Sequence, residues 1–347
     1  MSATEEAATL KILFQHQYGF LTSKIMFTAS EFGIFDLLME SGEFLTSATI
    51  AERLGTSAIG MERLLEACVG LKFLQVERKD NQTLYGNTDF ANLYLAKSGS
   101  KSQYHYMKIN SVFGYQSMQY LADAVREGKN QNDRIHGISS NCDFYETIYR
   151  SESGLQRPFM DAMNATWSLF GRDVMTAFDL SHFPFVCDVG GCSGSFAKEY
   201  ISLYPNSTVT ILDLPEIVET AKNHYVSSED HRITFHEADF FKDPIPEADL
   251  YILARILHCW GDEKCVQLLT KLHNACKPGG GVLVVETVLN EDRSGPLEAQ
   301  LFAMQLLLHT EGKERSPSEY NVLLSAAGFK EIQLKKRIRY DAILGRK

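Results

Sequence analysis

Two hydrophobic rhythms divide the chain. Over residues 1–101 apolar positions recur at helical spacing. "FLTSKIMFTASEFGIFDLLME" (Phe20–Glu40) is apolar on most faces, more than the one buried stripe of a monomer requires. "TSATIAERLG" (Thr46–Gly55) and "SAIGMERLLEACVGLKFL" (Ser57–Leu74) each open on a Thr or Ser suited to cap a helix, and the first closes on Gly. "LQVERKDNQTLYGN" then alternates like a hairpin turning at Lys79–Gln82. Helices followed by a hairpin predict a winged-helix arrangement. The stretch 102–178 reads as a helical connection. Beyond it the rhythm becomes strand and helix in alternation, with β-rich runs at 183–190, 207–214, 232–239, 249–256 and 280–288. Such continuous apolar strands are covered on both faces, as in a parallel sheet. The tail adds two strands turning at Arg337–Tyr340. The expectation is an α/β, doubly wound, mostly parallel sheet of seven strands over 179–347, behind the N-terminal helical domain.

Composition narrows the function. The 347 residues carry a net charge of −10, which disfavours nucleic acid and anionic membranes as partners. A winged helix often binds DNA, but Glu43–Lys79 holds both signs near balance, so dimerisation is the expected role. No apolar run approaches a membrane span, and "MSATEEAATL" is no secretory signal. Seven scattered cysteines without a CxxC pair suggest reduced thiols and no metal site, hence a cytoplasmic protein.

Candidate chemistry gathers at strand ends, where open α/β sheets bind ligands. After the first strand, "CDVGGCSGS" places Gly190, Gly191 and Gly194 where the backbone turns sharply and a ligand can approach. The turn is not GxGxxG, which argues against a dinucleotide and a nicotinamide oxidoreductase. Asp213 ends the second strand and suits the ribose hydroxyls of an adenosine-type cofactor, or a cap for the helix begun by Pro215. Asp239 and Phe240 follow the third strand, placed either to bind an adenine or to make an ordinary turn. Arg255 and His258 end the fourth. An imidazole there can take a proton near neutrality, with Glu286 or Glu314 to orient it or, in the plainer reading, to make surface salt links. Gln305 and His309 lie four apart on one helix face, as a pocket lining or as satisfied core residues.

"GIFDLL", "LADAVREGKNQ", "IYRSE", "TAFDLS", "FFKDPIPEADLYILARILH", "CKPGGGVLVVE" and "LLSAAGF" run in the order found in a known family. Over nearly its whole length the chain resembles the small-molecule O-methyltransferases that use S-adenosyl-L-methionine. The resemblance implies a homodimer built on the winged-helix domain, no metal, and methyl transfer to the hydroxyl of a small aromatic acceptor. It implies Tyr149, Trp167, Gly190, Asp213, Ala238, Asp239, Phe240 and Arg255 as cofactor contacts, with Gly191 in the same turn. His258 becomes the general base, and Glu286 and Glu314 its carboxylate partners. The family pattern has Asp after that His, where this chain has Cys259. Gln305 and His309 stand where one branch has Asn and Gln against the substrate, and Cys192 replaces a glycine. Three altered substrate positions leave open another hydroxylated aromatic or a weakly active, cofactor-binding relative.

Overall fold

The computed structural model describes residues 3–137, 148–149, 154–227 and 229–347. Cys142 and most of "FYETIYRSE" lie outside them; Ile148 and Tyr149 lie within. The chain forms two compact units, Met1–Val112 and Phe113–Lys347.

In the first unit, helices Ala3–Gln17, Gly19–Glu31, Ile34–Ser41, Ser47–Leu54 and Ala58–Gly70 precede a small antiparallel sheet. The Phe20–Glu40 run is two helices, not one. It breaks after Phe32 because Gly33 takes a left-handed turn (φ 76°). Thr46 and Ser57 cap the next two helices by accepting N–H bonds from Thr49 and Gly60. The predicted hairpin is present as β2 (Leu74–Lys79) and β3 (Gln82–Asn87), and a third strand, β1 (Leu45–Thr46), pairs with β3. Two residues are too short to show an alternating pattern, so β1 left no sequence signal. The unit also extends past the expected limit at 101. Helix Tyr104–Ile109 packs on Gly19–Glu31, and Ser111 Oγ donates to Glu31 at 2.5 Å.

The second unit is built on seven strands: β4 (Phe185–Val189), β5 (Thr208–Asp213), β6 (Ile233–Glu237), β7 (Ala248–Ala254), β8 (Cys276–Glu286), β9 (Lys330–Lys335) and β10 (Asp341–Arg346). Their order across the sheet is β6-β5-β4-β7-β8-β10-β9. The first five are parallel, and β10 inserts antiparallel between β8 and β9. The central strands are apolar on both faces because helices cover both. Asp262–Ala275 and Pro317–Ala326 pack one face, and Gln156–Met175 with Ser195–Leu203 the other. From β4 the chain winds outward to β6, then returns to lay β7 on the opposite side of β4. The carboxyl ends of β4 and β7 therefore flank a topological switch point, where open α/β sheets leave a crevice. No helix among the described residues is long and apolar enough to cross a membrane.

Candidate active site

The β4 turn follows from its glycines. Gly190 (φ 70°) and Gly194 (φ 71°) are left-handed, and Cys192 adopts φ 52° as a non-glycine residue. A Cβ on Gly190 would lie 2.5 Å from Ile256 Cδ1 and 3.9 Å from the Phe240 ring; one on Gly191 would lie 2.7 Å from Asp188 Oδ2. Asp213 closes the turn: its Oδ2 accepts from Cys192 N and its Oδ1 from Leu214 N, both at 2.9 Å. The Asp213 side chain does not cap the helix begun by Pro215, since Oδ1 takes the N–H of Leu214, the N-cap residue itself, and each oxygen keeps a second lone pair for a ribose hydroxyl. Burial lifts Asp213 to about 6 against the pull of those two N–H donors.

Asp188, which the sequence reading passed over, lies beneath the turn. Its carboxyl is buried and Oδ2 has no hydrogen-bond partner. Burial, then the charge of Asp213, pushes it up to about 7. A buried carboxylate oxygen without a donor beside a glycine turn fits a cationic ligand group, and the methionine ammonium of the implied cofactor is one. Its signal was available: an acid ends the strand two residues before Gly190.

The other expected cofactor positions differ in character. Ala238 is buried, and its N–H extends the β5 edge by donating to Asp213 O at 2.9 Å. Trp167 is a core residue, edge-on to Phe196 at 4.8 Å and 5.0 Å from the Tyr340 ring. Tyr149 meets Phe159 edge-on at 5.9 Å and packs with Cys192 against Met160 and Ile217. Asp239 Oδ1 accepts from Phe241 N at 3.0 Å and Oδ2 pairs with Lys242 at 2.9 Å.

His258 is not on the fourth parallel strand. β7 ends at Ala254, and His258 sits in the 3-10 turn Leu257–Cys259. Between them Arg255 takes a left-handed φ of 60°, which swings the chain off the sheet. The imidazole is buried, with Nδ1 2.8 Å from Glu286 Oε2, while His258 N donates to Glu286 Oε1 at 3.2 Å. Arg255 joins the two glutamates, at 2.9 Å from Glu286 Oε2 and 2.9 Å from Glu314 Oε1. Glu314 thus contacts the guanidinium and, through Oε1, Thr287 at 3.5 Å; its link to His258 runs through Arg255 and Glu286. Both glutamates are fully buried, so the surface-salt-link reading fails.

The buried charges explain the behaviour of the ring. Arg255 with two carboxylates leaves one negative charge in excess, which a proton on His258 neutralises. Burial and Arg255 oppose that proton, but the Cys259 side chain and Glu286 overcome them and hold the imidazole above its ordinary value. Glu286 is held below the usual carboxylate range: burial is outweighed by His258 and Arg255. The neutral ring, a minority form near pH 7 because its proton affinity is raised to about 10, matches a phenol of pKa about 10 and can accept its proton while a carboxylate fixes Nδ1.

The loop 310–317 supports this turn. Arg315, fully buried, donates to Leu257 O at 2.9 Å and Trp260 O at 2.7 Å, holding both ends of the segment that carries His258. Gly312 backs directly on the same segment, because a Cβ there would overlap His258 O and Cys259 C. Cys259 is buried, bonded to the His258 side chain, and packed with Leu257, Trp260 and Cys265. Gln305 is half-buried on helix Leu297–His309, whose Phe302 lies 5.3 Å from the Arg255 guanidinium. His309 ends that helix, its Nε2 3.1 Å from Ser117 Oγ and its ring 4.5 Å from Phe113. Burial, then His136, lowers it to about 3, so it is neutral at all ordinary pH. No His, Cys, Asp or Glu cluster among the described residues could hold a metal ion.

Glu286→Gln should move the acid limb of the pH profile of kcat/KM to lower pH. The carboxylate raises the ring's proton affinity, so its loss lowers that affinity and frees the base form in more acid solution. Profiles of the two proteins measure the shift, and an unmoved limb would contradict the electrostatic account.

Two families match the chain: an O-methyltransferase dimerisation domain over 14–97 and an O-methyltransferase domain over 118–330. Among curated relatives, the acetylserotonin O-methyltransferase of Gallus gallus is 55% identical over the whole of both chains, and that of Homo sapiens 47%. The crystal structure of human N-acetylserotonin methyltransferase in complex with SAM superposes with a TM-score of 0.95 over 100% of this chain and 99% of that one.

Proposed function

From the premise that the chain belongs to the S-adenosylmethionine-dependent small-molecule O-methyltransferase family, we propose that it methylates the hydroxyl of N-acetylserotonin, giving melatonin. The observation that carries the chemistry is the buried His258–Glu286 pair at the switch point beside the glycine turn. S-adenosyl-L-methionine supplies an electrophilic methyl group on a sulfonium. Asp213 suits its ribose, Asp188 its ammonium, and Asp239 with Phe240 its adenine. His258 takes the acceptor's proton as the oxygen attacks; with Nδ1 committed to Glu286, the proton goes to Nε2. It lands where it cancels the excess negative charge of the Arg255–Glu286–Glu314 cluster. Holding oxygen, methyl carbon and sulfur in line contributes up to ~7–11 kcal/mol. Gln305 and His309, with Cys259 against the base, are the proposed acceptor contacts.

We assign the protein to the cytoplasm, in keeping with free thiols at its six described cysteines. The acceptor is its small-molecule partner, and nucleic acid is disfavoured by charge. A homodimer is supported by the N-terminal helices, which leave Leu10, Ile12, Leu13, Phe14, Phe20 and Leu21 exposed, an apolar face costly to keep in water. Light scattering should give twice the chain mass; a monomer would overturn this.

The deciding assay incubates the protein with S-adenosylmethionine and a panel of phenols including N-acetylserotonin. Melatonin formation is the expected result. Methylation of other phenols without N-acetylserotonin would overturn the substrate and keep the chemistry, in line with the changed residues at 259, 305 and 309. Silence across the panel would leave a cofactor-binding relative.

A further inference from the structure

A lysine on a solvent-facing helix normally keeps its ammonium in water. Lys271, on helix Asp262–Ala275, does not. Its Nζ donates to three main-chain carbonyls, Phe240 O at 2.8 Å, Phe241 O at 3.0 Å and Asp243 O at 2.8 Å. An ammonium has three donors, so its whole capacity goes to one short turn.

That turn follows β6 and carries Asp239 and Phe240. The peptide between Phe240 and Phe241 is held at both edges: its C=O by Lys271, its N–H by Asp239 Oδ1 at 3.0 Å. C=O and N–H of a trans peptide point in opposite directions. Lys271 and the Asp239 carboxylate therefore grip one rigid plane from opposite sides, and fixing one sets the other. Asp239 O also accepts from Lys242 N and Asp243 N, and Asp239 N donates to Asp243 Oδ2, so the five residues form one closed unit. Phe240 reaches the neighbourhood of Gly190, and Phe241 stacks edge-on against Trp260 at 4.9 Å. The turn thus lies between the glycine loop and the segment bearing the base.

We propose that Lys271 is a positioning residue for the cofactor, its ammonium holding the 239–243 carbonyls so that Asp239 and Phe240 are presented to the adenosine half of S-adenosylmethionine. This rests on the reading of Asp239 and Phe240 as cofactor residues. Lys271 touches neither cofactor nor acceptor; it acts through the turn. Its loss costs cofactor affinity and leaves the chemical step alone.

The test is calorimetric titration of Lys271→Met, Lys271→Arg and Asp239→Asn with S-adenosylmethionine and S-adenosylhomocysteine, alongside kcat, KM and Tm. For Lys271→Met the expected result is a Kd for both ligands raised about tenfold. The cofactor KM rises in parallel, while kcat at saturation and the acceptor KM stay unchanged. Lys271→Arg, which keeps the charge without a compact three-donor head, should fall between; if the Met variant does not fold, a raised Kd at unchanged Tm in the Arg variant supports the proposal. Unchanged affinity in a folded Lys271 variant, with Asp239→Asn weakened, overturns the role of Lys271 alone. Unchanged affinity in Asp239→Asn overturns the cofactor reading beneath it. A fall in kcat with Kd unaltered would also overturn the proposal, because a positioning residue for the adenosine half leaves turnover intact.

Discussion

His258→Ala is expected to lower kcat by about 10²–10⁴-fold while leaving the Kd for S-adenosylmethionine close to that of the native protein. The size follows from the role. A phenol of pKa about 10 is almost wholly protonated at neutral pH, so without a base the attacking oxygen keeps its proton into the transition state. The asymmetry follows from the geometry. The imidazole is tied to Glu286, and the glycine turn and Asp213 form a separate network closed by Cys192 N and Leu214 N. The backbone N–H of residue 258 still serves Glu286 Oε1 in the variant, so the turn keeps its anchor. Single-turnover rates and calorimetry on the same preparation separate the two quantities. A variant that turns over within tenfold of the native rate would remove His258 from the chemistry.

Arg255→Leu should be the most destabilising single change in the site, costing about 3–5 kcal/mol and lowering Tm by on the order of 10 °C. The guanidinium bridges Glu286 and Glu314, both fully buried, and without it Glu314 loses its cation in a dry core while Glu286 keeps only His258. Leu also keeps the left-handed φ of 60° that residue 255 adopts, so nothing is regained from the backbone. Two companion variants identify the cause. Arg255→Lys keeps the charge and loses the planar fork that spans both glutamates, so it should recover part of the stability. Adding Glu314→Gln to Arg255→Leu removes one of the stranded charges and should recover part as well. Thermal denaturation checks all three, and a Leu variant melting within two or three degrees of the native protein would show that the cluster is not held together electrostatically.

The parts of the molecule legible in the sequence are those written in local chemistry. The apolar runs at 183–190, 207–214 and 249–256 became β4, β5 and β7 because a strand buried on both faces has no polar side to show. Thr46 and Ser57 announced helix starts because a cap is a contact between near neighbours. Gly190 and Gly194 announced the sharp turn after β4 because few other residues adopt its backbone. His258 was legible as the candidate base by position, although it stands in a 3-10 turn beyond the strand rather than at its end.

What the chain order could not show is which side chains meet across long separations. Glu314 looked like a partner for His258 and is a partner for Arg255, since only folding decides which of two nearby acids reaches which cation. Asp188 stood in view before the glycine turn, but its unpaired oxygen is a property of burial that the chain order does not show, and Lys271 was hidden because its three acceptors lie some thirty residues earlier in the chain. The sequence by itself determined the sheet, the glycine turn, the acids near the strand ends and the imidazole proposed as base, through periodicity and residue chemistry that act over a few positions. The tertiary structure decided how charge is shared among Arg255, Glu286, Glu314 and His258, and which lysine and arginine hold the surrounding turns, because electrostatics in a dry interior depends on distances that only packing sets.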